Sequence, residues 1–176
     1  MKKQLALSSP VTLAFLTATA CTIHIFESLI MRLLPLPFLR LGLSNIIVMY
    51  LILKGKPLQA VLVNVTKSLV GGAVTFTLMT PATLLSLGGG LFAILAMWLA
   101  CVSNLGFTEI GISICGAIAH NIMQLLLVKT IVLPGTRVFV LTPLLLFLGL
   151  FTGIITAWLL LLAEARFKII KTDSNE

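Results

Sequence analysis

Residues 82–104 read ATLLSLGGGLFAILAMWLACVSN, a stretch with no charged side chain. A bilayer's hydrocarbon core is about 30 Å thick and takes roughly 20 apolar residues of helix to cross. The stretch has that length and predicts a membrane-spanning helix. Similar runs lie on both sides of it. Helix 1 is expected over about 10–33, helix 2 over 41–54, helix 3 over 58–80, helix 5 over 108–132 and helix 6 over 138–165. Turn-forming residues separate them: Pro35 and Pro37, Lys54-Gly55-Lys56-Pro57, Thr80-Pro81, Asn104-Leu105-Gly106 and Pro134-Gly135. Helix 2 is short for a full span, so it either tilts little, extends past Leu41 or partly re-enters the bilayer.

The whole composition agrees. Hydrophobic residues make up 59% of the 176, charged residues only 10%, and the mean hydropathy is +1.17. Soluble domains carry about 25% charged residues, so this chain has too little polar surface to face water. The expected architecture is an all-α membrane protein, a bundle of about six transmembrane helices. It forms a single transmembrane domain over 1–170 with a polar cytoplasmic tail over 171–176. The run after Lys2 and Lys3 is long for a signal peptide and contains His24 and Glu27, which favours a retained first helix.

The basic excess, Lys+Arg 12 against Asp+Glu 5, is scattered between apolar runs rather than gathered on a face. That is how membrane topology is set, and it argues against nucleic-acid binding. Lys2, Lys3, Lys54, Lys56, Arg166, Lys168 and Lys171 fall on the side of the termini; Arg32, Arg40, Lys129 and Arg137 fall on the other. The excess predicts a multi-pass protein of the cell membrane with both termini in the cytoplasm.

Polar side chains in hydrocarbon are costly and face a protein interior or a wet cavity. The candidates for a substrate site are therefore few: His24, Glu27, Asn45, Lys67, His120, Asn121 and Gln124, with Asn64 also embedded. His24 and Glu27 are three apart on one helix face. They read either as a polar cluster touching substrate or a covering loop, or as an interfacial ion pair. Lys67, near the middle of helix 3, costs about 2.5–3.5 kcal/mol on insertion scales. It needs a partner, with Glu27 one candidate, or a polar cavity; snorkelling is the alternative. In the run HNIMQ, His120 and Gln124 stack four apart with Asn121 beside them. Interhelical hydrogen bonds average only about 0.6 kcal/mol in a well-studied case, so three such groups favour a ligand or pivotal packing site.

Small residues form two stripes. Ala14, Ala18 and Thr22 repeat every four residues on helix 1, and Gly149, Gly153 and Ala157 do so on helix 6. Such stripes let helices approach closely. Internal packing accounts for the glycine stripe, whereas the alanine stripe equally suits docking of another membrane protein.

Catalytic signatures are missing. No GxxxxGK[ST] loop is present. The run GISICG (111–116) has Cys115 where a nucleophile elbow needs glycine. Cys21, Cys101 and Cys115 form no CxxC, His24 and His120 have no second histidine at ligand spacing, and the acidic residues are scattered. No metal or cofactor is expected.

Taken in order, HIFESLI (24–30), LRLGLSNIIVMYLIL (39–53), Lys67, SLGGGLFAILAMWLA (86–100) and GISICGAIAHNIMQL (111–125) resemble the Gx transporter family. Its members are often named heptaprenyl diphosphate synthase component I. The resemblance covers most of the chain, and departs in having Lys67 where arginine is expected, which keeps the charge and loses the planar fork. The family is similar to the substrate-binding S components of energy-coupling factor transporters. The resemblance implies a six-helix protein that captures a small, partly apolar solute such as a vitamin or an isoprenoid or quinone precursor. It implies as partners a transmembrane coupling protein and two ATPases, docked through Ala14 and Ala18. The alternative is a noncatalytic membrane subunit associated with heptaprenyl diphosphate synthase. Catalysis of prenyl diphosphate synthesis needs aspartate-rich magnesium motifs, and the chain has one aspartate, Asp173.

Overall fold

The computed structural model describes residues 10–31, 42–103, 105–132, 140 and 142–173, with side chains given for most of them. The predicted features at Lys2, Lys3, Arg32, Pro35, Pro37, Arg40, Asn104, Pro134-Gly135 and Arg137 lie outside the described residues.

Among the described residues six α-helices follow one another: α1 Pro10–Met31, α2 Asn45–Leu53, α3 Pro57–Val74, α4 Pro81–Val102, α5 Glu109–Leu127 and α6 Thr142–Asp173. A π-helical turn, Val128–Val132, extends α5. The fold is an all-α membrane bundle, with no strand among the described residues. Among the described residues four helices (α1, α4, α5 with its π turn, and α6) are long and apolar enough to cross a membrane. Their outward side chains include Val11, Phe15, Phe147 and Trp158, an apolar exterior that suits lipid rather than water.

Local chemistry starts and stops these elements. Pro57 and Pro81 open α3 and α4 at the position where a missing N–H costs nothing. Thr108 caps α5 by accepting the N–H of Gly111 at 3.2 Å. Gly55, at φ +71°, closes α2, with Gly55 N–H donating to Ile52 O and Lys56 N–H to Leu51 O, the paired bonds of a Schellman cap.

The same cap ends α3 earlier than the sequence predicts. Phe76 N–H donates to Ala73 O and Thr77 N–H to Gly72 O, and Phe76 takes the left-handed position at φ 56°. The Thr75 hydroxyl adds a 2.7 Å bond to Gly71 O. Residues 75–80 are therefore a turn rather than helix. At the other end of the chain α6 runs past residue 165, and its 32 residues measure about 48 Å, more than a bilayer core.

The packing order is α4 against α5, α5 against α6, and α1 against α3, with α3 also touching α2 and α4. The short α2 contacts α1, α3, α4 and α6. Its nine residues span about 13 Å, under half a bilayer core. Ile47, Val48, Met49, Leu51 and Ile52 are all buried, as expected of a helix apolar on every side. It is an internal plug, and the core forms around it with Ala60, Val63, Ala93, Ile94, Met97, Ile112 and Ala157. The glycine stripe of α6 serves this packing. A Cβ on Gly153 would sit 2.9 Å from Ile114 Cα, and one on Gly149 2.8 Å from Asn121 Nδ2, so only glycine lets α5 and α6 come this close.

Candidate functional site

The start of α2 lies inside the bundle, and two ionisable residues hold it. Lys67, from α3, donates to Asn45 Oδ1 at 2.6 Å and to Ser44 Oγ at 3.1 Å. Glu27 Oε1, from α1, accepts the N–H of Gly42. Asn45 N–H donates to Gly42 O at 2.8 Å, and Gly42 has φ +70°, so both ionisable side chains grip one tight turn, Gly42–Asn45. By rise per residue Asn45 stands about 12 Å from Leu53, and Lys67 about 15 Å from Pro57. Because the Gly55 turn sets Leu53 and Pro57 side by side, the two meet at similar depth. Lys67 is 2% exposed, so it ends in this polar contact and does not snorkel. Such burial is tolerable because each hydrogen bond to a cation is stronger than a neutral one.

Glycines make room for three other embedded polar residues. The His24 ring occupies the place of a Cβ on Gly71, the His120 ring that of Gly89, and the Asn64 amide that of Gly90. Asn64 Nδ2 donates to Leu87 O at 3.3 Å, and Ser68 and Ser86 hydroxyls meet at 3.2 Å. Asn64 Oδ1, Gln124 Oε1 and Glu27 Oε2 are buried with no hydrogen-bond partner among the described residues.

Beside the clamped turn lies an open cavity, about 390 Å³ when the solvent space at its mouth is counted. Gly42, Asn45 and Met49 form one wall, Ala93 and Met97 of α4 a second. Ser113, Gly116, Ala117, His120 and Asn121 of α5, with Thr152 and Thr156 of α6, complete it. The lining positions on α4, α5 and α6 are about a turn or more in from those helices' ends, so the cavity lies within their span, facing the start of α2. Asn121 Nδ2 donates to Leu145 O at 2.7 Å, Ser113 Oγ to Gly153 O at 2.8 Å, and Thr152 Oγ1 to Gly149 O at 3.3 Å.

Of the residues singled out in the sequence, His120, Asn121 and Asn45 line this cavity together. Lys67 and Glu27 stand behind its Gly42–Asn45 wall. His24 and Gln124 are buried but do not line it. Ser44, Ser113, Thr152 and Thr156 are the residues that sequence reading missed. A signal for Ser113 existed: it lies seven residues before His120, on the same face of α5. Thr152 and Thr156 follow the glycine stripe of α6 at the same helical spacing.

Ala14, Ala18 and Thr22 are exposed on α1, on its outward side. No group of three or more His, Cys, Asp or Glu that could hold a metal ion occurs among the described residues.

A family model described as heptaprenyl diphosphate synthase component I matches residues 16–162, and the chain belongs to that family. No curated protein and no solved structure matches it.

Proposed function

We propose that this member of the heptaprenyl diphosphate synthase component I family is a substrate-binding membrane component of the energy-coupling factor type. It captures a small, partly apolar solute inside the bundle. The observation that carries this reading is the cavity, where Asn45, His120, Asn121, Ser113, Thr152 and Thr156 meet Met49, Ala93 and Met97. Convergent polar groups on an apolar lining are the usual make-up of a small-molecule site. Transport energy would come from partners, a transmembrane coupling protein and two ATPases, docked on the outward Ala14–Ala18 stripe. Small side chains there allow a partner helix to approach closely.

The test is extraction of the affinity-purified chain and mass spectrometry of the small molecules it retains. The reading expects a solute in about stoichiometric amount, depleted when Asn45→Leu removes one cavity wall. A wild-type chain that brings down no solute contradicts it.

The family description supports a second reading, a noncatalytic membrane subunit associated with heptaprenyl diphosphate synthase. It predicts a soluble prenyl synthase as the partner and no solute in the cavity.

A further inference from the structure

Hydrogen-bond commitments around the cavity restrict the solute's chemistry. Lysine only donates, so the 2.6 Å contact from Lys67 fixes Asn45 with its oxygen toward Nζ. The groups Asn45 has left to offer are the N–H donors of Nδ2. A backbone carbonyl only accepts, so the bond to Leu145 O fixes Asn121 the other way round. Its Oδ1 remains as an acceptor. Ser113 and Thr152 have given their protons to Gly153 O and Gly149 O, so their oxygens also remain as acceptors. Thr156 lines the cavity and its hydroxyl has no hydrogen bond within the protein among the described residues.

These commitments leave a donor on α2 and acceptors on α5 and α6. His120, which also lines the cavity, carries a donor and an acceptor nitrogen when neutral, and the Thr156 hydroxyl can do either. Among the described residues no Lys, Arg, Asp or Glu lines it. The nearby cation, Lys67, is buried and spent on Ser44 and Asn45. An ion entering here would lose water with no Lys, Arg, Asp or Glu among the described lining residues to answer its charge, which is costly.

We propose that the cavity selects an uncharged solute whose polar end both donates and accepts, such as an alcohol or amide on a small apolar body, and rejects diphosphates. This rests on the reading of the chain as a solute-binding component and names the class of solute. Lys67 is then a positioning residue, which turns the Asn45 amide so that its donors face the solute.

The experiment is thermal unfolding of the full chain in nanodiscs with a matched panel of probes: five- to ten-carbon alcohols and primary amides, their carboxylates, and their monophosphates and diphosphates. The expected result is a saturable rise in Tm with uncharged members only. Thr156→Val, which removes a hydroxyl that bonds nothing in the protein, is expected to keep the ligand-free Tm and weaken binding of the best alcohol or amide about fivefold. Stabilisation by phosphates or carboxylates in preference to their uncharged counterparts overturns the inference while leaving solute capture intact. Unchanged affinity in Thr156→Val overturns the placement of the solute in this cavity. A panel with no binder at all overturns both the inference and the capture reading.

Discussion

Lys67 Nζ stands 2.6 Å from Asn45 Oδ1, so the cation midway along α3 ends on the first residue of α2. The two members of this pair are not equivalent. Asn45→Leu takes the 2.6 Å hydrogen bond away from an ammonium group in a residue only 2% exposed. Losing a hydrogen bond to a charged group costs about 1.5–3 kcal/mol. Lys67→Met instead removes the buried charge together with the need to satisfy it. We expect Asn45→Leu to lower unfolding stability by about 2 kcal/mol and Lys67→Met by less. Denaturant unfolding of the two variants in detergent checks the order, and a larger loss for Lys67→Met would show the charge to be a net stabiliser.

Gly90 and Asn64 occupy one another's space, since a Cβ on Gly90 would overlap the Asn64 amide. Gly90→Ala should therefore destabilise the bundle by about 1–3 kcal/mol, the usual range for overpacking. Adding Asn64→Ala, which clears the amide, should recover part of that loss. A double-mutant cycle measures the coupling, and strictly additive effects would mean that the helices move apart instead.

Phe76 holds a left-handed backbone at the end of α3, at φ 56°, with its side chain 93% exposed. A non-glycine residue there costs about 1–2 kcal/mol, and its exposed ring has little packing to lose. Phe76→Gly is expected to raise stability by up to about 1 kcal/mol, after allowing for the greater freedom of glycine in the unfolded chain. Its unfolding midpoint compared with wild type gives the sign directly.

Phe76 also explains where sequence reading stops short. Among the described residues, the breaks between helices were legible where Gly and Pro mark them, as Gly55, Pro57 and Pro81 do. The end of α3 was not, because a phenylalanine fills the cap position that glycine ordinarily signals. Three of the cavity's polar residues were legible as amide or imidazole groups embedded in apolar runs. Ser113, Thr152 and Thr156 were not, since isolated hydroxyls in membrane helices commonly bond their own backbone and carry no signal alone. Nor does sequence give the partner of Lys67, which is an amide 22 positions earlier in the chain.

Lys54 and Glu164 pair at 2.7 Å between the α2–α3 turn and α6. The hydrogen bond to Glu164 raises the Lys54 pKa above its ordinary 10.5. A raised folded value means that the stabilisation is fully present below about pH 10.5 and is lost as pH rises through the folded pKa. The Lys54 side chain is 37% exposed, so solvent screening keeps the pair within about 0.5 kcal/mol. Glu164→Gln should leave stability at pH 7 nearly unchanged and flatten its decline in alkali. A loss above 1 kcal/mol at pH 7 would contradict this.

Ala14 and Ala18 face outward, so Ala14→Leu with Ala18→Leu should change intrinsic stability by no more than about 0.5 kcal/mol. If the stripe is a docking face, the same change abolishes association with a coupling membrane protein. Unfolding and co-purification measured on one preparation separate the two effects.

Solute capture on behalf of an ATP-driven transporter is decided by purifying the tagged chain from its native membranes in mild detergent and identifying its partners by mass spectrometry. The expected partners are a transmembrane coupling protein and two ATPases. Recovery of a soluble prenyl diphosphate synthase in their place would contradict that role.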